Sequence, residues 1–450
     1  VRPAAEAEKA GIPGVVVTTT GFTAIARAAG KAEGLSDLRV AEYPGAVGVH
    51  PEALVVKNVE EVLFDRIVHE LTQPRRGAVE DAGALARRAG DIVFEGTYDE
   101  INAHFSRQQW SDELPIVPPT PERVAAFLQH TRRPPDERIA VLPQANLVAT
   151  PRNIAANAVM AGCRPEHLPV LIAAVEAIAD NAYNLNNIGS TWGVLPFLLV
   201  SGPATARLGI ESGAHLVSRG ANPAIGRALG LIVRNIAGYR LGSNYMGTFG
   251  YPLSFVVAED DAQCPWEPYR VEHGFDRSDT TVTACGTVTW GWPPAIYGTE
   301  EKSAAQAALE FLSIEVTKKP CLARLVERGT HGFRNMITFL LAPPIAKALA
   351  AAGYTKQAIR DYVYEHARVP YRELEFLIEY GHSEAFKIPD MVERGLLPSE
   401  YLVKPDDLVR VLPSADVINI VVCGDPDRNR AMVLWGGYIS PVTRKIETAG

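Results

Sequence analysis

Glu259, Asp260 and Asp261 follow one another at the end of an apolar run, and Cys264, Trp266, Glu267, Glu272 and His273 come soon after. Carboxylates this close together, with an imidazole nearby, acquire separated pKa values from their surroundings, so one group can hold a proton while another accepts it. General acid–base work is the chemistry expected of Glu259, Asp260 and His273. The plainer reading is a strand that reaches solvent through an acidic loop. The same acids with His273 admit a metal-dependent lyase or hydrolase as an alternative, but their spacing matches no standard ligand signature. No metal ligands are therefore assigned.

Cys163 is the candidate thiol. It falls in a turn between two apolar helices, where a free cysteine more often packs as a small hydrophobe than reacts. Arg227 and Arg234 are seven residues apart on a mostly apolar helix, hence on one face, and two arginines there require anions. Structural carboxylates or a substrate carboxylate would serve. Ser201 and Gly202 sit where a strand turns at Pro203 toward an expected helix, whose first N–H groups suit an anion. Thr19 and Thr20 end the first strand and either face a ligand or cap the next helix. Asn187 closes a polar loop, Asp180–Asn187, that reads as a pocket wall.

The elements that hold these residues alternate between strand and helix. Val15–Thr20 is a β-branched run, 21–34 is helical, Leu38–Tyr43 is a second strand, and Asn58–Leu71 has helical apolar spacing. Strand, helix, strand, helix implies a parallel sheet of Rossmann or flavodoxin type over residues 1–75. Residues 76–120 read as a connector ending in the rigid Trp110–Thr120 segment, where each proline holds its predecessor extended. Residues 121–450 form a larger mixed α/β domain with the candidate site. Thr120 caps a helix; 150–187 is the most helical part, with a nearly all-apolar helix over Leu168–Ala179. The segment beginning Phe197-Leu198-Leu199-Val200-Ser201-Gly202-Pro203 resembles the one beginning Phe339-Leu340-Leu341-Ala342-Pro343, a strand–Pro–helix unit used more than once. Leu253–Ala258, Thr280–Trp290, Met336–Leu341, Val417–Cys423 and Met432–Trp435 are strands, the last pair closing a sheet.

At 450 residues, 47% hydrophobic and 21% charged, the chain can bury large cores. A net charge of −8 without a basic run argues against nucleic acid or an anionic membrane as partner and in favour of a small molecule. The long apolar helices lead us to expect a homo-oligomer. The five cysteines, at 163, 264, 285, 321 and 423, include no CxxC pair and fit a reducing, cytoplasmic setting. No nucleotide motif is present, so the cofactor is unassigned.

Several segments together resemble the UGSC family of selenoproteins and their cysteine homologues. They are EKAGIPGVVVTTTGF at Glu8–Phe22, FEGTYDEIN at Phe94–Asn102, WSDELPIVPPT at Trp110–Thr120, NAVMAGCRPEHLPV at Asn157–Val170, WEPYRVEHGF at Trp266–Phe275 and GYISPVTRKI at Gly437–Ile446. Glu113 stands where the resemblance leads one to expect glycine. The family's naming motif would lie before Glu8, upstream of Val1. The resemblance implies thiol or selenol redox chemistry, with the thiol carried either on a preceding peptide or on another polypeptide; in the latter case this chain is a binding or scaffold subunit. The function expected is thus an enzyme acting on a small carboxylated metabolite, containing sulfur or nitrogen in one version, with a thiol-dependent oxidoreductase or lyase step.

Overall fold

The computed structural model describes residues 1–450 apart from 36, 48–49, 75–90, 192, 242–243, 249–253, 319–335, 381–386, 396, 438 and 448–450. Leu253 and Cys321 thus lie outside the described residues. The N-terminal unit runs α1 (Arg2–Lys9), β1 (Val16–Thr19), α2 (Thr23–Ala32), β2 (Val40–Tyr43), α3 (Glu52–Asn58) and α4 (Phe64–Thr72). β1 and β2 pair in parallel, as the alternation requires, with Val16 opposite Val40 and Thr19 opposite Tyr43. The helix expected from Asn58 begins earlier, at Glu52, and contains a π-turn over Val59–Leu63. That turn shifts the phase of the helix, and Leu63 joins Ala41 and Tyr43 in the core although α3 buries no residue.

Further along, α5 (Tyr98–Arg107) is capped by Thr97 and α6 (Pro121–Leu128) by Thr120. Glu113 has φ 68°, a left-handed conformation in which a β-carbon costs about 1–2 kcal/mol. That is the physical reason for a glycine at this position. A hairpin with no strong sequence signal, β3 (Ala140–Leu142) and β4 (Leu147–Ala149), precedes α7 (Pro151–Met160) and α8 (Leu168–Ala179).

Two mixed sheets follow. In the first, β5 (Leu195–Ser201) lies parallel to β6 (Phe255–Ala258) and antiparallel to β7 (Thr281–Thr287), and β13 (Val442–Lys445) adds to the free edge of β7. In the second, β8 (Ile337–Leu341) lies parallel to β11 (Ile418–Val422) and antiparallel to β12 (Ala431–Trp435). The short pair β9 (Arg368–Pro370) and β10 (Leu408–Arg410) stands apart. Side chains alternate along each strand, so each sheet has two faces to bury. Leu198, Val200, Val256 and Ala284 pack with α8 and with α9 (Asn222–Asn235). Phe339, Leu341, Ile420 and Val433 pack with α11 (Ala304–Thr317), α12 (Pro343–Ala351) and α13 (Lys356–His366). The opposite faces meet each other: Phe197, Leu199, Val257 and Cys285 lie against Leu340, Val421 and Leu434. The larger part is thus four layers, helices–sheet–sheet–helices, and its central strands are buried on both sides. α14 (Tyr371–Tyr380) and α15 (Ile388–Glu393) complete the described helices of the second half.

The two halves repeat one another: a buried helix leads to a central strand, a parallel neighbour joins it on one side and an antiparallel one on the other. Their strand–Pro units differ after the turn. Pro343 starts α12, but no helix forms after Pro203, where residues 203–209 make successive turns. The helix-start anion site expected at Gly202 is therefore absent, and the Ala204 N–H donates instead to Thr280 Oγ1 at 3.0 Å. Gly202 itself, at φ 136°, lies so close to Asp279 that a β-carbon would strike its carbonyl oxygen.

Candidate functional site

The carboxyl ends of β6 and β11 are tied together: the Asp260 N–H donates to Val422 O at 2.8 Å. Alternation places Ser201, Glu259 and Cys423 on the inner faces of the two sheets at this end. Glu259 is 2% exposed. Ser201 donates its hydroxyl to Glu259 Oε2 at 2.5 Å, and the Tyr269 N–H, from the first turn of α10 (Tyr269–Glu272), is 2.8 Å from both carboxylate oxygens. Arg270 donates Nη1–H to Ser201 Oγ at 3.0 Å and pairs with Asp261 Oδ2 at 2.7 Å. Burial raises the Glu259 pKa, opposed by the Lys356 charge and the hydrogen bonds it accepts. Asp260, half-buried, accepts the Gln263 N–H at 3.2 Å. Three atoms nearby, Asp261 Oδ1, Arg270 Nε and Asn419 Nδ2, are buried without a hydrogen-bond partner among the described residues.

His273 lies farther out, stacked on the Tyr269 ring at 3.9 Å with Nδ1 2.7 Å from Tyr269 O. Burial lowers its pKa, and the Lys356 and Arg360 charges add to this. Burial pushes the neighbouring Glu272 up, but Lys356, at 3.1 Å, and Arg360 outweigh it and hold that carboxyl below its usual range. The acids after β6 and His273 are thus brought around one helical turn. Their polarities diverge, Glu259 inclined to keep a proton and Glu272 to lose one.

Beside this cluster, at the ends of β8 and β11, is a cavity of about 280 Å³. Leu216, Leu340 and Met432 make its apolar wall, while His215, Cys423, Asp425, Arg428 and Arg430 supply its polar groups. Burial raises the Cys423 thiol pKa, and the charges of Glu259 and Asp260 add to this. Arg428 and Arg430 each donate only to a main-chain oxygen, of Asp427 at 3.1 Å and of Pro293 at 3.0 Å, and neither has an ion-pair partner among the described residues. His215 holds a left-handed conformation, φ 62°. Sequence reading missed these residues. A signal was there: Val421-Val422-Cys423-Gly424-Asp425 repeats the strand-then-polar pattern of Val257-Ala258-Glu259-Asp260.

The other residues singled out by sequence lie elsewhere. Cys163 packs against the α7–α8 core, and burial pushes its thiol up to about 12, so it is protonated at neutral pH. Arg227 is taken by Asp112 through two hydrogen bonds, 2.9 and 2.8 Å, and by the carbonyls of Leu114 and Pro115. Arg234 faces a different, smaller cavity. Asn187 is buried and donates to Gly437 O, whereas Asp180, Asn181, Asn184 and Asn186 of the same loop do wall a cavity, of about 360 Å³. Thr20 donates to Glu42 at 3.3 Å and accepts the Gly45 N–H at 2.9 Å, and Thr19 lines an apolar groove of the N-terminal unit. Among the described residues, no group of three or more His, Cys, Asp or Glu side chains is placed to hold a metal, and no helix is long and apolar enough to cross a membrane.

Fold and site together define a mixed α/β protein with an acid cluster and a cavity at the carboxyl ends of its parallel strands. Over residues 1–73, the unit from α1 to α4, the chain matches the model of the UGSC family, which bears out the resemblance read from Glu8–Phe22. The matched residues do not extend to the segments from Phe94 onward. No curated protein and no solved structure matches the chain.

Proposed function

We propose that the protein is an enzyme acting on a small carboxylated metabolite bound in the cavity at the ends of β8 and β11. The observation that carries this reading is the pair of cavity arginines, Arg428 and Arg430, without a carboxylate partner among the described residues. Guanidinium groups bind carboxylates through paired hydrogen bonds, and a cavity of about 280 Å³ suits a molecule of a few carbons. In this reading Arg428 and Arg430 hold the carboxylate, and His215 and Asp425 move protons at the wall. Cys423, its pKa raised by burial, lines the site as a protonated thiol, and Glu259 keeps a proton behind it. The N-terminal unit is a half-domain of Rossmann or flavodoxin type, supported by its parallel β1–β2 pair.

Calorimetric titration with a panel of two- to five-carbon mono- and dicarboxylates tests the proposal. At least one acid should bind, and Arg430→Ala should weaken it by about tenfold or more, the loss expected for one charged hydrogen-bonding group. Binding by no member of the panel, or equal affinity in the variant, refutes it.

A further inference from the structure

We propose that a second, smaller cavity at the carboxyl end of α9 is a binding site for one small monoanion, of the size of chloride or formate, held by the Arg234 guanidinium. The cavity, about 40 Å³, is lined by Ile188, Pro196, Val233, Tyr239 and Ser254 around Arg234. Arg234 is 8% exposed, yet its side chain has no hydrogen bond or ion pair among the described residues. A guanidinium carries five N–H donors and stays charged, so burial without partners is strongly unfavourable unless something in the cavity accepts them.

The charges around it point to an anion rather than to water alone. Asp112 and Glu113 act on Arg234 from a distance. Asp112 is already held by Arg227 at 2.9 and 2.8 Å, and Glu113 accepts the Ser106 hydroxyl at 2.7 Å. Arg240 adds a further guanidinium, since its Nη1–H donates to the carbonyl oxygen of Arg234. Three arginines thus face two carboxylates, leaving one positive charge to be met. Leu241, Tyr245 and Ser254, which complete the cavity wall, bring no acid to it. Burial lowers the pKa of Arg234 and that of Arg240, the latter to about 10, as expected of guanidinium groups short of counter-charge. The cavity shares no lining residue with the larger one at the ends of β8 and β11, so this site stands independently of the proposed activity.

The test uses the full chain and chloride as probe. Replacing gluconate, too large for the cavity, by chloride at constant ionic strength of about 100 mM should raise Tm by about 2 °C, as saturation of a native-state site does. Arg234→Met should remove the increment while circular dichroism shows a folded chain. Crystals grown in bromide should give an anomalous peak in hydrogen-bond reach of the Arg234 guanidinium, a readout that stands even where the variant fails to fold. Equal Tm in the two salts, an increment that persists in Arg234→Met, or no bromide at Arg234 overturns the proposal.

Discussion

Replacing Glu259 by glutamine and by alanine separates a proton-holding carboxyl from an ionised one. Alanine leaves the Tyr269 N–H and the Ser201 hydroxyl facing an empty site. Two buried donors without acceptors cost about 1–3 kcal/mol each, so the loss should be roughly 3–5 kcal/mol once the cavity is added. Glutamine keeps the volume; its carbonyl oxygen accepts the Tyr269 N–H and its amide faces Ser201 Oγ, for a cost of about 1 kcal/mol. The pH dependence carries the same distinction. Because the folded pKa of Glu259 is raised, its contribution to stability is full below its unfolded value of about 4.3 and is lost as pH rises through the folded value. Between the two, wild type should lose about 1.4 kcal/mol per pH unit relative to Glu259→Gln. Urea unfolding midpoints of the three proteins from pH 4 to 8 provide the measurement. A glutamine variant as damaged as the alanine one, or a difference from wild type that stays flat with pH, would mean that Glu259 is ionised in the folded protein.

Two further outcomes follow from the polar segment before α6. Asp112→Ala strands a largely buried Arg227 and should cost about 3–5 kcal/mol in urea unfolding, much of it regained when Arg227→Met is added; a double variant no better than the single one would contradict the pairing. Glu113→Gly relieves a left-handed backbone and should raise stability by about 1 kcal/mol, so a lower unfolding midpoint would count against that strain.

Much of the architecture can be read from local pattern. The β-branched run at Val16–Thr19, the apolar helix at Leu168–Ala179 and the cap at Thr120 are each specified within a few residues, and each forms where the pattern puts it. The face-to-face packing of the sheets is another matter. A strand buried on both sides reads as one apolar run whether a helix or a second sheet covers it, so β5 and β8 do not announce their neighbours. The same limit applies to the site. The acids after β6 are conspicuous because they are adjacent in sequence, whereas Cys423 and Arg430 come to this end through the packing of the second sheet on the first and the pairing of β12 with β8. Arg227 misleads for a related reason: its face on α9 is legible, but the Asp112 that occupies it is far away in the chain.

The pairing of β13 with β7 bears on how the chain is made. β7 ends at residue 287, and its outer edge stays open until 442–445 arrive to cover it. During synthesis the first sheet therefore presents Thr281–Thr287, a fully buried strand in the finished protein, as an unpaired edge while residues 288–441 are still being added. The halves, for all their likeness, are not separable modules, because the second returns a strand to complete the first. A chain cut before Val442 would keep its inner strands and lose the protection of that edge, making association with other copies its natural failure.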